Sequence, residues 1–403
     1  MRRVSDPADE PLHLSPTVIR MKPASIKTFL QCSATLLILV SVLSACGNET
    51  PARPQVTRQN VNSTGLETIN EPAQQSADFS KPGIISNHTF NSDNPLIGSL
   101  NYSVYTPASY NPDKPAPLLL AIHGCNTTAQ EFMASSALHP TAEREGIVVV
   151  YPDVPLRNEP LKCWQWFNPI SQVRGSGDPA LLAGITQEII VNMNIDEDRV
   201  YALGMSSGAM MTSILGATYP DVYAAIAENA GCAYLAGATC AFVGPTLPDD
   251  TLGQLAFDAM GEHARVMPVL QLRGDQDTTV PISNSPQVIN QWLATNNYVM
   301  TGTATAPFDR QPDVTFQNQK SNGYAFTVSR YTDKQGCLLV EDWVIHGMGH
   351  FFSGGSPNTD AAEFADPKGP MMAEISWRFL SRYKLSDFTD GYKPAKAACI
   401  KDQ

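Results

Sequence analysis

Five short apolar runs, each ending at a glycine or a turn, dominate the middle of this sequence and are separated by segments of helical character. The runs are nearly continuous in hydrophobicity, which is typical of parallel strands buried on both faces. Helices are predicted between them, near residues 178–193, 207–219 and 285–296. This alternation predicts an α/β fold with helices on both faces of a mostly parallel sheet. The apolar runs cover residues 118–124, 147–152, 200–204, 224–230 and 268–274.

The ends of the predicted sheet differ from its centre. Residues 100–105 alternate between apolar and polar side chains, so antiparallel strands are expected at the start. A last strand over residues 338–346 and a last helix over residues 370–383 complete the pattern. In an open sheet of this kind, ligands bind where the carboxyl ends of the strands meet the loops.

The composition is that of a globular protein, because 43% of the 403 residues are hydrophobic and only 16% are charged. Without the N-terminal segment about 320 residues remain, which suits a single large domain. The 39 acidic residues outnumber the 27 basic ones, and the formal net charge is −12. Such a surface repels phosphate backbones, so nucleic acid is not expected as a partner, whereas a neutral ester or polymer is compatible with it.

The first 46 residues are interpreted as a targeting region. From Met21, two lysines precede an apolar stretch over residues 34–43 and then small residues, a signal-peptide profile that is too short to span a membrane. The segment LSACG at 43–47 resembles the lipobox of bacterial lipoproteins, in which Cys46 carries the lipid anchor. By that resemblance Gly47 favours the outer membrane, and an ordinary secretory signal is the alternative. Residues 1–20 are interpreted as an upstream, mis-assigned start.

Residues 47–82 are polar, rich in Asn, Gln, Thr, Pro and Ser, and nearly free of large apolar side chains. Such a segment cannot bury enough surface to order itself, so it is predicted to be a flexible tether. The predicted organisation is a signal region at 1–46 with its lipobox within 21–46, a tether at 47–82 and an α/β catalytic domain at 83–403. A membrane partner is expected only through the N-terminal lipid, and we expect a monomer.

Six cysteines lie in the predicted domain, and an even number in an exported chain favours disulfides. They show none of the close pairs of a zinc site, so no metal is expected. Six cysteines allow fifteen pairings, and spacing alone does not choose among them. The residues are Cys125, Cys163, Cys232, Cys240, Cys337 and Cys399.

The most specific local pattern is Gly-Met-Ser-Ser-Gly at 204–208, which follows a predicted strand and opens a predicted helix. The turn between such elements is tight, and a glycine two positions away on each side of Ser206 relieves the crowding. The Oγ of Ser206 would then project above the sheet, as a nucleophile requires. The neighbouring Ser207 is expected to contribute its backbone N–H to an oxyanion.

A serine becomes a nucleophile when a histidine that is oriented by a carboxylate takes its proton. In this fold the chain order is serine, acid, histidine. His350 lies in a loop beyond the last strand and is favoured as the base over His346, which lies within the apolar pattern of that strand and is interpreted as a packing or supporting residue. Asp277 is favoured as the acid over Asp275, which is expected to bond local backbone and fix its turn.

A tetrahedral intermediate needs a second donor for its oxyanion. That donor is expected in the loop after the first buried strand, within His-Gly-Cys-Asn at 123–126. The N–H of Cys125 is the predicted donor, and Gly124 permits a close approach of the backbone. His123 is interpreted as structural.

Six motifs follow one another along the chain: HGC at 123–125, CWQWF at 163–167, RGSGDP at 174–179, GMSSGAM at 204–210, GDQDTTVP at 274–281 and GMGHFFSGG at 347–355. In this order they resemble the polyhydroxybutyrate depolymerase-type esterases, a family that also includes feruloyl and acetylxylan esterases. The resemblance covers roughly residues 102–383. It implies an α/β-hydrolase fold without metal or organic cofactor, a triad of Ser206, Asp277 and His350, and an oxyanion hole formed by the amides of Cys125 and Ser207.

The same resemblance suggests disulfides, among which a bond between Cys125 and Cys163 would clamp the oxyanion loop. Relatives often carry Ala-Trp after the catalytic histidine, where this chain has two phenylalanines, so its substrate pocket is expected to differ. We hypothesise that four aromatic residues form an apolar surface for a polymer or aromatic ester, with core packing as the alternative for each. They are Trp164, Trp166, Phe351 and Phe352. The other suggested bonds are Cys232–Cys240 and Cys337–Cys399.

The predicted activity is hydrolysis of carboxylic esters by an exported enzyme. A polyester such as polyhydroxybutyrate is the leading substrate class, with synthetic aromatic polyesters as further candidates. Feruloyl or acetyl esters of plant polysaccharide are the alternative. A non-catalytic surface binding protein on the same scaffold and an acyltransferase are the remaining interpretations, because a fold does not determine function.

Overall fold

The computed structural model describes residues 82–155, 162–356, 364–389 and 391–399. The predicted signal region, the predicted lipid anchor at Cys46 and the predicted tether up to residue 81 lie outside these ranges. Within them, no helix combines the length and the apolar character needed to cross a bilayer.

A ten-stranded sheet forms the centre of the described domain, with the strand order β1-β2-β4-β3-β5-β6-β7-β10-β9-β8. The middle strands β4, β3, β5, β6, β7 and β10 are mutually parallel, and antiparallel strands flank them on both sides. The predicted mostly parallel sheet is therefore confirmed. The strands are β1 Ile84–Asn91, β2 Ser99–Thr106, β3 Ala116–Ile122, β4 Val148–Pro152, β5 Ile195–Met205, β6 Ala225–Asn229, β7 Val269–Gly274, β8 Val314–Gln319, β9 Ala325–Thr332 and β10 Leu338–Ile345.

Helices cover both faces of this sheet, and the sheet separates two apolar cores. Helices α3, α4 and α5 pack into one core, and α1, α2 and α7 pack into the other. Strand β3 is buried along its whole length, with alternate side chains entering the two cores, which explains its unbroken apolar sequence. The helices are α1 Ala129–Ser135, α2 Leu138–Glu145, α3 Gly177–Asn192, α4 Ser207–Thr218, α5 Asp249–Met260, α6 Asn284–Thr301, α7 Met372–Leu380 and α8 Ser386–Thr389.

Three disulfides join the six cysteines of the domain in the pairing that the family resemblance suggested. Cys125–Cys163 ties the loop after β3 to the segment before α3, and the other two bonds are Cys232–Cys240 and Cys337–Cys399. A small two-stranded sheet, β11 Phe352–Ser353 and β12 Ala365–Asp366, lies beyond β10. The disulfides are consistent with an exported protein.

Candidate active site

Ser206 occupies the turn between β5 and α4 in a strained backbone conformation. Its φ is +55° and its ψ is −120°, values that a residue with a side chain rarely adopts. The conformation is held from both sides, because the Ser206 N–H donates to the Asn229 carbonyl at 2.9 Å and the Ser206 carbonyl accepts from the Met210 N–H at 3.0 Å. Strain of this kind costs about 1–3 kcal/mol and persists only where the surrounding structure enforces it.

The two glycines beside Ser206 are required by close backbone contacts. A Cβ at Gly204 would lie 2.2 Å from the Gly208 carbonyl oxygen, and a Cβ at Gly208 would lie 2.2 Å from the carbonyl oxygen of Ile122. Both distances are far inside van der Waals contact, and in each case the obstructing atom belongs to the backbone. The crowding predicted from the motif is therefore present, and it brings β3, β5 and the start of α4 together.

Asp277 and His350 form a hydrogen-bonded pair on adjacent loops. The Nδ1 of His350 lies 2.7 Å from the Oδ2 of Asp277, and Oδ1 accepts from the N–H groups of Thr279 and Val280 at 2.8 Å each. Burial raises the pKa of the Asp277 carboxyl, but the hydrogen bonds and the charge of His350 outweigh it, so the pKa lies below its ordinary value. Asp277 is therefore an ionised carboxylate aimed at His350.

A second carboxylate–imidazole pair stands beside the first and joins the same two loops. The Oδ2 of Asp275 lies 3.0 Å from Nδ1 of His346, and Oδ1 accepts from the Gly347 N–H at 2.8 Å. The Nε2 of His346 is 2.8 Å from Oγ1 of Thr327. Asp275 was expected to bond the backbone of its own turn, but it bonds the loop that carries His350. The structure thus makes it a support for that loop.

Asn229 connects the turn at Ser206 with the loop at His350. Its carbonyl oxygen accepts from the Ser206 N–H, and its Nδ2 donates to the carbonyl of Phe351 at 2.9 Å. Asn229 thus bonds both the turn that carries the candidate nucleophile and the residue that follows the candidate base. Sequence reasoning missed Asn229, since it lies at the end of β6 outside every motif.

The loop after β3 lies directly against Ser206. A Cβ on Gly124 would come within 3.2 Å of the Ser206 Cβ and 3.8 Å of its Oγ. Cys125 follows in this loop, and Ser207 is the first residue of α4. Within the described residues, neither of these two backbone N–H groups donates a hydrogen bond to protein. Their placement suits the predicted role of an oxyanion hole, which remains a prediction.

His123 and Trp164 support that loop from inside the protein. The Trp164 Nε1–H donates to the His123 carbonyl at 2.9 Å, and Nδ1 of His123 lies 2.6 Å from the Gly124 carbonyl. The Nε2 of His123 is 3.3 Å from a carboxylate oxygen of Asp153. Both His123 and Trp164 are completely buried. The structure therefore assigns them a supporting position beneath the loop, where Trp164 directly follows Cys163 and His123 lies two residues before Cys125 of the same disulfide.

The hypothesis of a four-membered aromatic surface is wrong for two of its members. Trp164 is buried because its indole N–H satisfies the His123 carbonyl, and Phe352 is buried because its ring packs edge-on against Phe132 with 5.3 Å between centroids. Trp166 and Phe351 are half-buried. They remain candidates for substrate contact.

An exposed apolar patch next to Trp166 was not predicted. The ring of Trp166 meets that of Phe167 edge-on, and Phe167, Ile170 and Val173 expose 52%, 58% and 52% of their surface. We call these four residues the apolar patch. It begins three residues after Cys163, so the disulfide ties it to the loop beside Ser206. The residues of the patch lie in and around the short 3-10 helix Pro169–Gln172. Such a short segment shows no periodic pattern in the sequence, so the exposure of these side chains could not be predicted.

A buried pair of titratable residues lies below the site on β6 and β7. Glu228 and Arg273 are fully buried, and the guanidinium donates to the Gly231 carbonyl at 2.9 Å. Burial raises the pKa of Glu228 to about 8 against the opposing charge of Arg273, and it lowers the pKa of Arg273 to about 10. Glu228 is therefore protonated at neutral pH. Among the described residues, no group of His, Cys, Asp and Glu side chains is arranged to hold a metal ion.

Comparison with known proteins identifies the family of this chain. The family model described as esterase PHB depolymerase matches residues 100–314, more than half of the chain. The chain belongs to this family. The matched segment of the esterase PHB depolymerase family contains Ser206, Asp277 and the loop at Cys125, whereas His350 lies beyond it.

Two curated relatives and one solved structure are similar to this chain. The chain is 34% identical over 244 residues to poly(3-hydroxyalkanoate) depolymerase C of Paucimonas lemoignei, covering 58% of this chain and 55% of the relative. It is 35% identical over 155 residues to feruloyl esterase B of Neurospora crassa, covering 38% of this chain and 51% of the relative. The chain thus spans about half the length of these two relatives. An acetyl xylan esterase structure from Aspergillus awamori shares the fold with a TM-score of 0.58 and 21% identity, over 74% of this chain and 99% of that one.

Proposed function

We propose that this protein hydrolyses carboxylic esters with Ser206 as the nucleophile. His350 takes the proton from the Ser206 Oγ as it attacks the ester carbonyl, and it returns that proton to the leaving alcohol. Ionised Asp277 orients His350 and stabilises its charged form, and the amides of Cys125 and Ser207 receive the oxyanion. Water then hydrolyses the acyl-enzyme by the same route. The observation that carries this proposal is the 2.7 Å Asp277–His350 pair, whose loop is bonded through Asn229 to the turn at Ser206.

A polyester of the hydroxyalkanoate type is the leading substrate class. A relative named as a poly(3-hydroxyalkanoate) depolymerase supports it, and so does the apolar patch, because a hydrophobic solid must be gripped by apolar surface. Acyl esters of a polysaccharide are the second candidate. Relatives named as feruloyl and acetylxylan esterases support that class, and a polar cavity between β1, β2 and α1 favours it because its side-chain amides suit hydroxyl groups.

The proposed location is the cell surface, with Cys46 as the lipid anchor and the outer membrane as its site. The three disulfides support an oxidising compartment outside the cytoplasm. We expect the domain to act as a monomer and to have no nucleic-acid partner, given its net charge of −12.

Covalent labelling and a substrate panel test the proposal. A fluorophosphonate probe should label the wild type and not Ser206→Ala, whereas Ser207→Ala should be labelled because only its backbone is required. Monomer release from polyhydroxybutyrate film is then compared with ferulate and acetate release from substituted xylan. Labelling that persists in Ser206→Ala, or a wild type that releases nothing from any ester, would contradict the proposed function.

A further inference from the structure

A cavity of about 340 Å³ opens at the end of the sheet where β1 and β2 meet α1. Its volume lies within the range of sites for small ligands. Most of the residues that line it carry polar side chains. None of these groups takes part in the proposed ester chemistry. The polar residues of the wall are Asn87, Thr89, Asn101, Ser103, Gln130 and Asp153.

Hydrogen bonds within the wall orient its amides. The hydroxyl of Ser103 donates to Oδ1 of Asn87 at 2.7 Å, and the hydroxyl of Thr89 donates to Oδ1 of Asn101 at 2.8 Å. Each amide oxygen thus has a partner, whereas neither Nδ2 donates to any group among the described residues. The cavity therefore offers N–H donors for acceptor atoms of a ligand.

Asp153 supplies a hydrogen-bond acceptor on the same wall. One of its carboxylate oxygens accepts from the Val154 N–H at 3.1 Å and faces His123. Burial acts to raise its pKa, but the interactions with His123 and with backbone N–H groups lower the pKa below its ordinary value. Asp153 is thus an ionised acceptor that disfavours an anionic ligand, while the amide donors disfavour a cationic one. Hydroxyl groups both donate and accept, so they match this wall without carrying charge.

The cavity also lies near the ends of the strands at which Ser206 is found, the carboxyl ends of the parallel strands. Asp153 follows β4, Asn101 lies near the start of β2 beside it, and Ser206 follows β5. In the order β2-β4-β3-β5 the outer strands are three spacings apart, or about 14 Å. A chain that presents an ester to Ser206 can therefore reach the cavity with a more distant part.

We infer that this cavity is a distal subsite for an uncharged, hydroxyl-rich chain, the sugar backbone of a polysaccharide whose ester is cleaved at Ser206. The inference rests on the proposed esterase function for the position of the ester, and it concerns the second substrate class named there, acyl esters of a polysaccharide. Binding itself requires no catalysis, so the two can be tested separately. A polyester chain fits the wall less well, since its ester carbonyls accept from the amides but give Asp153 no donor.

The binding test uses Ser206→Ala with unsubstituted xylohexaose, followed by chemical shift changes in labelled protein. Asn87→Asp and Asn101→Asp keep the oxygen that accepts from Ser103 or Thr89 and replace the donating NH₂, so each should weaken binding at least about tenfold. Asn91→Asp, at the exposed end of β1 and outside the cavity, adds the same charge and is the matched control. Thermal melting checks that each variant is folded.

Shift changes confined to β1, β2 and α1, lost in the two cavity variants and retained in the control, support the inference. It is overturned if xylohexaose does not bind at millimolar concentration, if the cavity variants bind as well as their parent, or if an oligomer of 3-hydroxybutyrate occupies the cavity in place of the sugar. Hydrolysis of a soluble 4-nitrophenyl ester by the wild type is measured in parallel, so that failure of the esterase proposal is recognised independently.

Discussion

Replacing Asp277 by Asn tests the assignment of the acid more sharply than any deletion, because the amide has the same shape. The Asp277 side chain is completely buried and accepts from His350, Thr279 and Val280. In Asp277→Asn the amide oxygen can keep its backbone donors, so the NH₂ group must face Nδ1 of His350. Nδ1 then accepts, the proton moves to Nε2, and His350 can no longer take the proton from Ser206.

The expected loss in kcat is about 10⁴-fold, equivalent to about 5.5 kcal/mol of transition-state stabilisation, with KM little changed. The matched control is Asp275→Asn, because Asp275 lies on the same loop and makes an analogous bond to His346. That pair is more exposed, at 29% and 40% of the two side chains, and it acts only by supporting the loop. Its amide variant should lose less than about tenfold.

Initial rates on a soluble 4-nitrophenyl ester at pH 8 measure both variants against the wild type. Asp277→Asn with more than a tenth of the wild-type kcat would refute the assignment of the acid. Equal losses in Asp277→Asn and Asp275→Asn would show that the two carboxylates are not distinguished as the geometry requires. Circular dichroism melts separate these outcomes from simple unfolding.

Three further predictions concern packing, pH and the apolar patch. Gly208→Ala should lower the free energy of unfolding by about 3 kcal/mol in urea titrations, because the new Cβ meets the backbone oxygen of Ile122 at 2.2 Å; a change under 1 kcal/mol would contradict the contact. Glu228 has its pKa raised to about 8 in the fold, so its contribution is fully present below its unfolded pKa and is lost as pH rises through 8. Glu228→Gln should therefore show a smaller loss of unfolding free energy than the wild type between pH 5 and 9, and parallel curves would refute this. Trp166→Ala and Phe167→Ala should each reduce release from polyester film at least about threefold more than hydrolysis of a soluble ester; equal effects on both substrates would exclude the patch from polymer binding.

The central strands and the reactive residues could be predicted from the sequence because each leaves a local signal there. Strand β3 is buried on both faces and therefore reads as an unbroken apolar run. Ser206 is flanked by glycines because three backbone segments meet at its turn. By contrast, β8 and β9 form an edge hairpin with polar residues on its outer side, and neither was predicted. Partial exposure removes the continuous hydrophobicity on which the prediction of strands depended.

The aromatic surface was half wrong, and a warning lay in the sequence only for its two phenylalanines. Successive residues of an extended chain point to opposite sides. Phe351 and Phe352 are consecutive, and Phe352 begins the short strand β11 while Phe351 lies in the bend before it, so a shared orientation of the two rings was not required by the sequence. The structure turns Phe352 towards Phe132 and leaves Phe351 half-buried beside Gly349. Alternation does not separate Trp164 from Trp166, which are two positions apart, so the burial of Trp164 became visible only in the structure.

Of the residues that hold the site in place, His346 was interpreted as a supporting residue, whereas the bonds made by Asn229 and Asp275 left no signal, and their contacts show why. Asn229 joins the turn at Ser206 to the loop of His350 by one backbone carbonyl and one side-chain amide. Asp275 bonds a backbone N–H that is 72 positions away. Most of these partners are main-chain atoms, which every residue possesses, so no residue type marks the position where such a bond is made. The sequence motifs therefore identify the residues that react. The residues that hold them in position can be identified only in the structure, where strands that are remote in sequence are neighbours in the sheet. If the two Asp–His pairs are unequal, as the substitution of Asp277 and Asp275 is designed to show, part of the difference is that Nε2 of His346 is already bonded to Thr327 at 2.8 Å, so that imidazole serves the loop and not a reacting serine.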